Sequence, residues 1–136
     1  MKTFKLKSLV VKQAIDEELV YDKIQLMDGL IINREDEKNR WVIEAFIDKK
    51  YRDLFERLQR EREEIMLEAK ITKDTNEPAT FITEINSIND IGNHINIIFI
   101  GTIIDVRKSK IEALLSQLID EGYQGEVLLN KFKELI

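Results

Sequence analysis

The chain has 136 residues, of which 43% are hydrophobic and 35% charged, with one His, no Cys and a formal net charge of −5. A catalytic Cys, a disulfide framework and any site that needs two imidazoles are therefore excluded. The acidic balance also argues against nucleic acid as a partner, because non-specific affinity for nucleic acid comes largely from cations that contact phosphate.

The first third of the chain alternates between apolar and polar residues, which is typical of half-buried strands. One such strand is predicted around Phe4–Val10 and a second over Leu19–Met27. The second is followed by Asp28-Gly29 and then by the apolar run Leu30–Ile32. Asp-Gly between two such runs favours a tight hairpin, since Gly accepts the positive φ that a type I′ turn requires. We therefore predict a hairpin turn at Asp28-Gly29.

The middle of the chain contains two strands separated by a helix. Trp41–Asp48 alternates, with one predicted face formed by Trp41, Ile43, Ala45 and Ile47. A helix is predicted over residues 49–61, where apolar residues recur at helical spacing. Alternation resumes over residues 63–72, and there we let the pattern prevail over the helix propensity of the residues.

The last two predicted strands are Ala79–Ile88 and His94–Ile104. The second is apolar on both faces at its middle, because Ile98 and Ile100 lie opposite the face that carries Ile97 and Phe99. A sheet's own core covers only one face, so another element is needed to cover Ile98 and Ile100.

Two helices are predicted at the C-terminal end. Ser109 and Glu112 have the spacing of a capping box at the start of the first helix, and Gly122 is placed to end it. The second helix is predicted from about Gln124. We expect this pair to pack on the outer face of the last strand, over Ile98 and Ile100.

These elements predict an α+β fold in a single compact domain. Residues 1–105 are expected to form a small, mostly antiparallel β-barrel of six to seven strands, with the inserted helix at about 49–61. Residues 106–136 are expected to form an antiparallel helix pair packed on the barrel. A closed barrel is favoured over an open sheet because closure leaves no long apolar edge exposed to aggregation.

Three blocks of sequence resemble the YwpF-like family of small bacterial proteins: Met1–Leu6, Leu26–Asp36 and Asn39–Phe46. The resemblance covers the whole chain. It implies a β-barrel core with a helix pair, and a barrel similar to the Hcp tube proteins of type VI secretion. It implies no catalytic motif and no settled biochemical role, and a shared barrel does not establish a shared function.

Trp41, Glu44 and His94 are the candidate ligand or contact residues. Glu44 stands in an apolar stretch and would be a perturbed acid or ligand anchor if it pointed into the barrel, with Trp41 beside it. His94 is the one side chain that titrates near neutrality. The structural alternatives are a Glu44 that faces solvent or pairs with a cation, a Trp41 in the core and a strand-end His94. We predict no catalytic residue, cofactor or metal, because the acidic loop Glu35–Glu37 lacks the spacing and glycine of a calcium loop.

The leading hypothesis is a non-enzymatic structural or interaction protein with protein partners or self-association. A small-ligand-binding barrel is second and predicts a pocket of roughly a few hundred Å³ near Trp41 and Glu44. A carboxylate-dependent hydrolase is third and needs two acids within roughly 5 to 10 Å in a cleft. We expect a cytoplasmic protein with no membrane span, since no apolar signal core follows Met1 and the apolar run Ile95–Ile104 is about half the length that crosses a bilayer.

Overall fold

The computed structural model describes all 136 residues and contains seven strands, a 3-10 turn and three helices. These elements are β1 Lys2–Ile15, β2 Glu18–Ile24, β3 Leu26–Asn33, β4 Arg40–Asp48, the 3-10 turn Lys49–Tyr51, α1 Arg52–Glu61, β5 Ile65–Ile71, β6 Ala79–Ile91, β7 His94–Ile104, α2 Lys108–Asp120 and α3 Gly125–Leu135. The predicted α+β class is confirmed.

Six of the strands close an antiparallel barrel in the order β1-β3-β4-β7-β6-β5, with β5 pairing back onto β1. The long strand β1 makes this closure possible. Its first residues pair with β3, its second half pairs with β2 along the same edge, and its other edge pairs with β5. Closure pairs the backbone groups that an open sheet would leave free at its edges.

The barrel interior is built from residues that alternate along each strand. In β4, Ile43, Ala45 and Ile47 are fully buried, as are Ile95, Ile97 and Phe99 in β7. Helix α1 adds Phe55 and Leu58 to the same core, and the Phe55 ring meets Phe99 edge to face at 5.7 Å between centroids. Burying each of these two helix side chains contributes about 1.5–3 kcal/mol. The predicted interior faces and the predicted helix are confirmed.

The predicted hairpin at Asp28-Gly29 is wrong, because both residues lie inside β3. Gly29 is buried there, and a Cβ on it would lie 2.9 Å from Leu6 Cδ2, so its missing side chain makes room for Leu6. The tight turn is at Asp16-Glu17, where φ is +50° and +65°, and it joins β1 to β2. The predicted strand over Leu19–Met27 is divided at Gln25, where the chain passes from β2 into β3.

The expected position of the helix pair is also wrong. Its apolar residues form a core of their own, in which the barrel supplies the buried side chains Met66 of β5 and Ile82 of β6. Helix α2 also contacts β2, and α3 contacts β1. The pair therefore covers the β2-β1-β5-β6 side of the barrel, while Ile98 and Ile100 stay half-buried. Sequence periodicity identifies an outer apolar face but not which outer face a later helix reaches.

The two predicted helix boundaries have different outcomes. Helix α2 begins at Lys108 with Arg107 as its N-cap and no side-chain cap, so Ser109 is already helical and the predicted capping box does not form. Gly122 has φ of +93° and ends this helix as predicted. Its N–H donates to Ile119 O and the Tyr123 N–H donates to Leu118 O, which is the Schellman pattern.

Candidate interaction surface

The outer side of β3, β4 and β7 carries an apolar surface that no helix covers. The strand register aligns Ile32, Val42 and Ile100 in one row and Leu30 and Ile98 in the next. Leu30 is 41% exposed and the others are half-buried. We call this surface the wall, and its apolar members are Leu30, Ile32, Val42, Phe46, Ile98 and Ile100.

Glu44 lies in the middle of the wall, directly between Leu30 and Ile98 in the strand register. It points outward because its neighbours Ile43 and Ala45 point into the core. Glu44 Oε1 accepts a hydrogen bond of 2.9 Å from Asn96 Nδ2, and no cation lies within 4.0 Å of the carboxylate. The wall therefore has an unpaired negative charge at its centre.

His94 lies at one end of the same surface. Its ring stacks on Phe46 with centroids 4.8 Å apart and an interplanar angle of 34°. In the register, His94 is opposite Asp48 on β4 and Ile91 on β6. Of the three candidate residues, Glu44 and His94 thus share the wall.

Trp41 lies on the opposite face of β4 and is not brought together with Glu44. Its ring packs between Phe4, at 6.5 Å, and Phe81, at 5.5 Å. Trp41 is partly buried and packs against the barrel core, which consists of seventeen buried residues. The surface has two depressions of about 530 and 700 Å³, one beside Gly101 and one beside Ser109, and neither is lined by Trp41 or Glu44.

The charges that project from or border the wall are mainly negative. Asp28 is aligned with Phe46, Glu84 with Ile100, and Asp48 ends β4. Lys5 is the cation aligned with Leu30. Arg40, at the other end of β4, is held by Asp36, with Nε 2.8 Å from Oδ2. The backbone N–H and side chain of Arg40 lower the pKa of Asp36.

A second cluster of charges is buried between the barrel and α2, and no local sequence pattern predicts it. Lys12 Nζ lies 2.9 Å from Glu68 Oε2, and the two side chains are 1% and 8% exposed. Lys108 of α2 completes the cluster, with Nζ 3.0 Å from Glu68 Oε1. Lys12 and Glu68 project outward from β1 and β5, so the cluster lies where the helix pair docks.

The cluster shifts the pKa values of its members in directions set by burial and charge. Burial by itself raises the pKa of Glu68, but the hydrogen bonds and charges of Lys12 and Lys108 outweigh it and hold the pKa below its usual value. The Glu68 carboxylate raises the pKa of Lys108. Burial, together with Glu112 and Glu68, raises the pKa of Tyr21 to about 12. Glu68 therefore stays ionised where the helix pair meets the barrel.

Two further structural findings concern the whole chain. No group of three or more His, Asp or Glu side chains is arranged to hold a metal ion. None of the three helices is long and apolar enough to cross a membrane.

Comparison with known proteins identifies the family. A model of the family described as "YwpF-like protein" matches residues 2–135. The "Uncharacterized protein YwpF" of Bacillus subtilis (strain 168) is 37% identical over 134 residues, which span 98% of each chain. A crystal structure of a hypothetical protein from Staphylococcus aureus is 30% identical, with a TM-score of 0.71 over 98% of this chain and 91% of that one. The chain belongs to the YwpF-like family.

Proposed function

We propose that this chain is a non-enzymatic protein-interaction protein and that the wall is its contact surface. The observation that carries the proposal is the uneven covering of the barrel. The helix pair buries the outer face of β5 and β6 at Met66 and Ile82, whereas no helix covers the wall, where Leu30 is 41% exposed and Ile98 and Ile100 are half-buried. A contiguous exposed apolar patch of this kind is often a binding site in a monomeric protein.

The chemistry at the wall supports binding rather than catalysis. Glu44 has an amide from Asn96 as its partner, not a second carboxylate or a nucleophile. His94 is stacked on the Phe46 ring. The alternative of a ligand-binding barrel is less well supported, because side chains occupy the barrel interior and Trp41 packs among them.

Site-specific photo-crosslinking in the native cells tests the proposal. A photoreactive residue at Ile98 is expected to give discrete adducts, and the same residue at Glu121, the exposed residue just after α2, is expected to give none of them. A second substitution, Ile100→Asp, should remove the Ile98 adducts while the fold is retained by circular dichroism. Adducts that form equally from both positions, or that survive Ile100→Asp, would argue against the wall as the contact surface.

The implied similarity to Hcp tube proteins supports a second form of the same proposal, in which the partner is another copy of the chain. Light scattering at several concentrations distinguishes the two forms. Growth of the mass with concentration is expected for ring or tube assembly. A strict monomer at high concentration rules out that form and leaves a different protein as the partner.

A further inference from the structure

We propose that the wall binds a basic, amphipathic segment of another protein, with a lysine or arginine of that segment paired to Glu44. This inference rests on the proposed function and names the class of partner. It is carried by the position of one unpaired carboxylate in the middle of an apolar surface.

Glu44 determines the chemistry that a partner must bring. A partner that covers Leu30 and Ile98 also covers Glu44, because the register places Glu44 between them. A carboxylate covered by apolar atoms alone loses its hydration without compensation, which is strongly unfavourable. Asn96 satisfies one acceptor position of the carboxylate, which has about four, so acceptor positions remain for an ammonium or guanidinium group. A cation of the partner at this point would compensate the desolvation of Glu44, and a partner without one would be disfavoured.

The charges at the border of the wall also favour a positively charged partner. Asp28, Glu84 and Asp48 border the apolar residues, and none of them makes an ion pair with a cation of this chain across the wall. Arg40 is paired with Asp36, which Arg34 also contacts at 3.5 Å. Around the wall, the cations without an ion pair are Lys5, aligned with Leu30, and Lys38, in the depression beside Ile100, so acidic groups still outnumber them there. Complementary potentials of this kind steer association and suppress wrong partners.

A second copy of the chain fits the wall less well. It would bring another acidic wall and another net charge of −5. Face-to-face packing centred on Glu44 would place it against apolar residues or against a second carboxylate, because Lys5 lies at the border of the wall, two strands away from Glu44. The charge pattern therefore favours a different protein over self-association.

The dimensions of the wall set the length of the segment. From Val42 to Phe46 the wall extends about 14 Å along the strand, at roughly 3.4 Å per residue. An α-helix covers that distance with about nine residues, at 1.5 Å per residue. A segment of about three helical turns, with leucine-like side chains on one face and one cation among them, is sufficient.

A synthetic 14-residue helical peptide of leucine and lysine serves as the probe, and its binding to the full chain is measured by fluorescence anisotropy at about 0.15 M salt. We expect saturable binding that Glu44→Gln weakens about tenfold or more, because the charge-assisted hydrogen bond between Glu44 and a peptide ammonium group is lost. Ile98→Ser should weaken it by a similar factor. Glu121→Gln, just after α2, removes the same charge from the other side of the molecule and should leave the binding unchanged.

Three outcomes overturn this inference. The first is equal binding by the parent and Glu44→Gln chains, or equal weakening by Glu44→Gln and Glu121→Gln, since in either case the peptide does not pair specifically with Glu44. The second is equal binding of a matched leucine and glutamate peptide. The third is a dimer in sedimentation equilibrium that Ile98→Ser disperses, because the wall is then occupied by a second copy. In each case, Ile98-dependent crosslinks in cells would still uphold the wall as a contact surface, so the two proposals fail separately.

Discussion

Lys12 Nζ of β1 lies 2.9 Å from Glu68 Oε2 of β5 at the boundary between the barrel and the helix pair, where water scarcely reaches either side chain. Met66 is paired with Lys12 in the strand register, and the centroid of the Tyr21 ring lies 5.7 Å from Lys12 Nζ. A buried ion pair recovers its desolvation cost only when both charges are well partnered. Glu68 meets that condition with two cations, since Lys108 approaches its other oxygen at 3.0 Å.

The first prediction concerns removal of either partner. Glu68→Leu leaves Lys12 buried without a counter-charge and should lower the free energy of unfolding by about 3–5 kcal/mol. Lys12→Met should cost less, because Glu68 keeps Lys108. The double variant Lys12→Met, Glu68→Leu should recover most of the loss. Urea unfolding followed by circular dichroism measures all three.

Lys131→Met provides the control, because it breaks the exposed pair with Glu134, in which the charged atoms are 3.6 Å apart. Exposed pairs contribute about 0–1 kcal/mol. If Glu68→Leu were no more damaging than this control, the buried cluster would have no part in holding the helix pair.

The second prediction is a pH dependence that comes from Glu68. Its pKa is lower in the folded chain than in the unfolded chain, because Lys12 and Lys108 favour the carboxylate. Its contribution to stability is therefore complete above the unfolded pKa of about 4.3 and is lost as the pH falls through the folded pKa.

The measurement compares the parent chain with Glu68→Gln, which lacks this titration. The difference between their free energies of unfolding should be largest near pH 6 and should shrink toward pH 3. Other carboxylates with lowered pKa values, such as Asp36, titrate in both chains and cancel in the comparison. A difference that stayed constant over this range would show that Glu68 does not provide the pH dependence.

The third prediction concerns Gly101, which packs directly against the backbone of β6. A Cβ at this position would lie 2.0 Å from Ile82 O and 2.6 Å from Thr83 Cα. Because β6 is held by pairing on both sides here, it has little room to retreat. Gly101→Ala should therefore destabilise the fold by about 3 kcal/mol or more, at the upper end of what overpacking costs.

Gly29→Ala is the graded comparison for Gly101→Ala in thermal unfolding. Its Cβ would lie 2.9 Å from Leu6 Cδ2 and 3.0 Å from Leu6 Cβ and the Glu44 backbone oxygen, so its nearest contact is 0.9 Å longer than at Gly101 and involves a side chain that can adjust. We expect a loss of about 1–2 kcal/mol. Equal losses at the two glycines would contradict the close approach of β6 to β7 as the cause.

The sequence predicted the features that depend on local periodicity. The inward residues of β4 and β7 follow a period of two, so Ile43 and Ile97 were assigned to the core correctly. Helix α1 was identified from the spacing of Phe55 and Leu58, and the end of α2 from Gly122. Each of these signals lies within about ten residues of the structure that it specifies.

Features that depend on strand order could not be obtained in this way. Glu44 stands out in the sequence, but its apolar neighbours Leu30 and Ile98 come from strands far apart in the chain. The partnership of Lys12 with Glu68 joins residues 56 positions apart. Alternation places such residues on a face and does not say which strand lies beside them.

The last prediction concerns the tight turn between β1 and β2, which no Gly or Pro marks in the sequence. Asp16 and Glu17 form the tight turn between β1 and β2, with φ of +50° and +65° and without glycine. The left-handed region costs an ordinary residue about 1–2 kcal/mol, and Asp tolerates it better than Glu does. Glu17→Gly should therefore relieve strain, in part offset by the greater freedom of glycine in the unfolded chain.

We expect a net gain of about 0.5–1 kcal/mol for Glu17→Gly, seen as a rise of about 2–4 °C in the Tm. Glu77→Gly is the matched control, because Glu77 is exposed in the β5–β6 connection and is not in the left-handed region. There the glycine relieves no strain and adds only unfolded-state freedom, so the Tm should fall slightly or stay the same. If Glu17→Gly lowered the Tm as much as Glu77→Gly does, the positive φ at the Asp16-Glu17 turn would carry no strain. The lack of glycine at this turn would then need a different explanation.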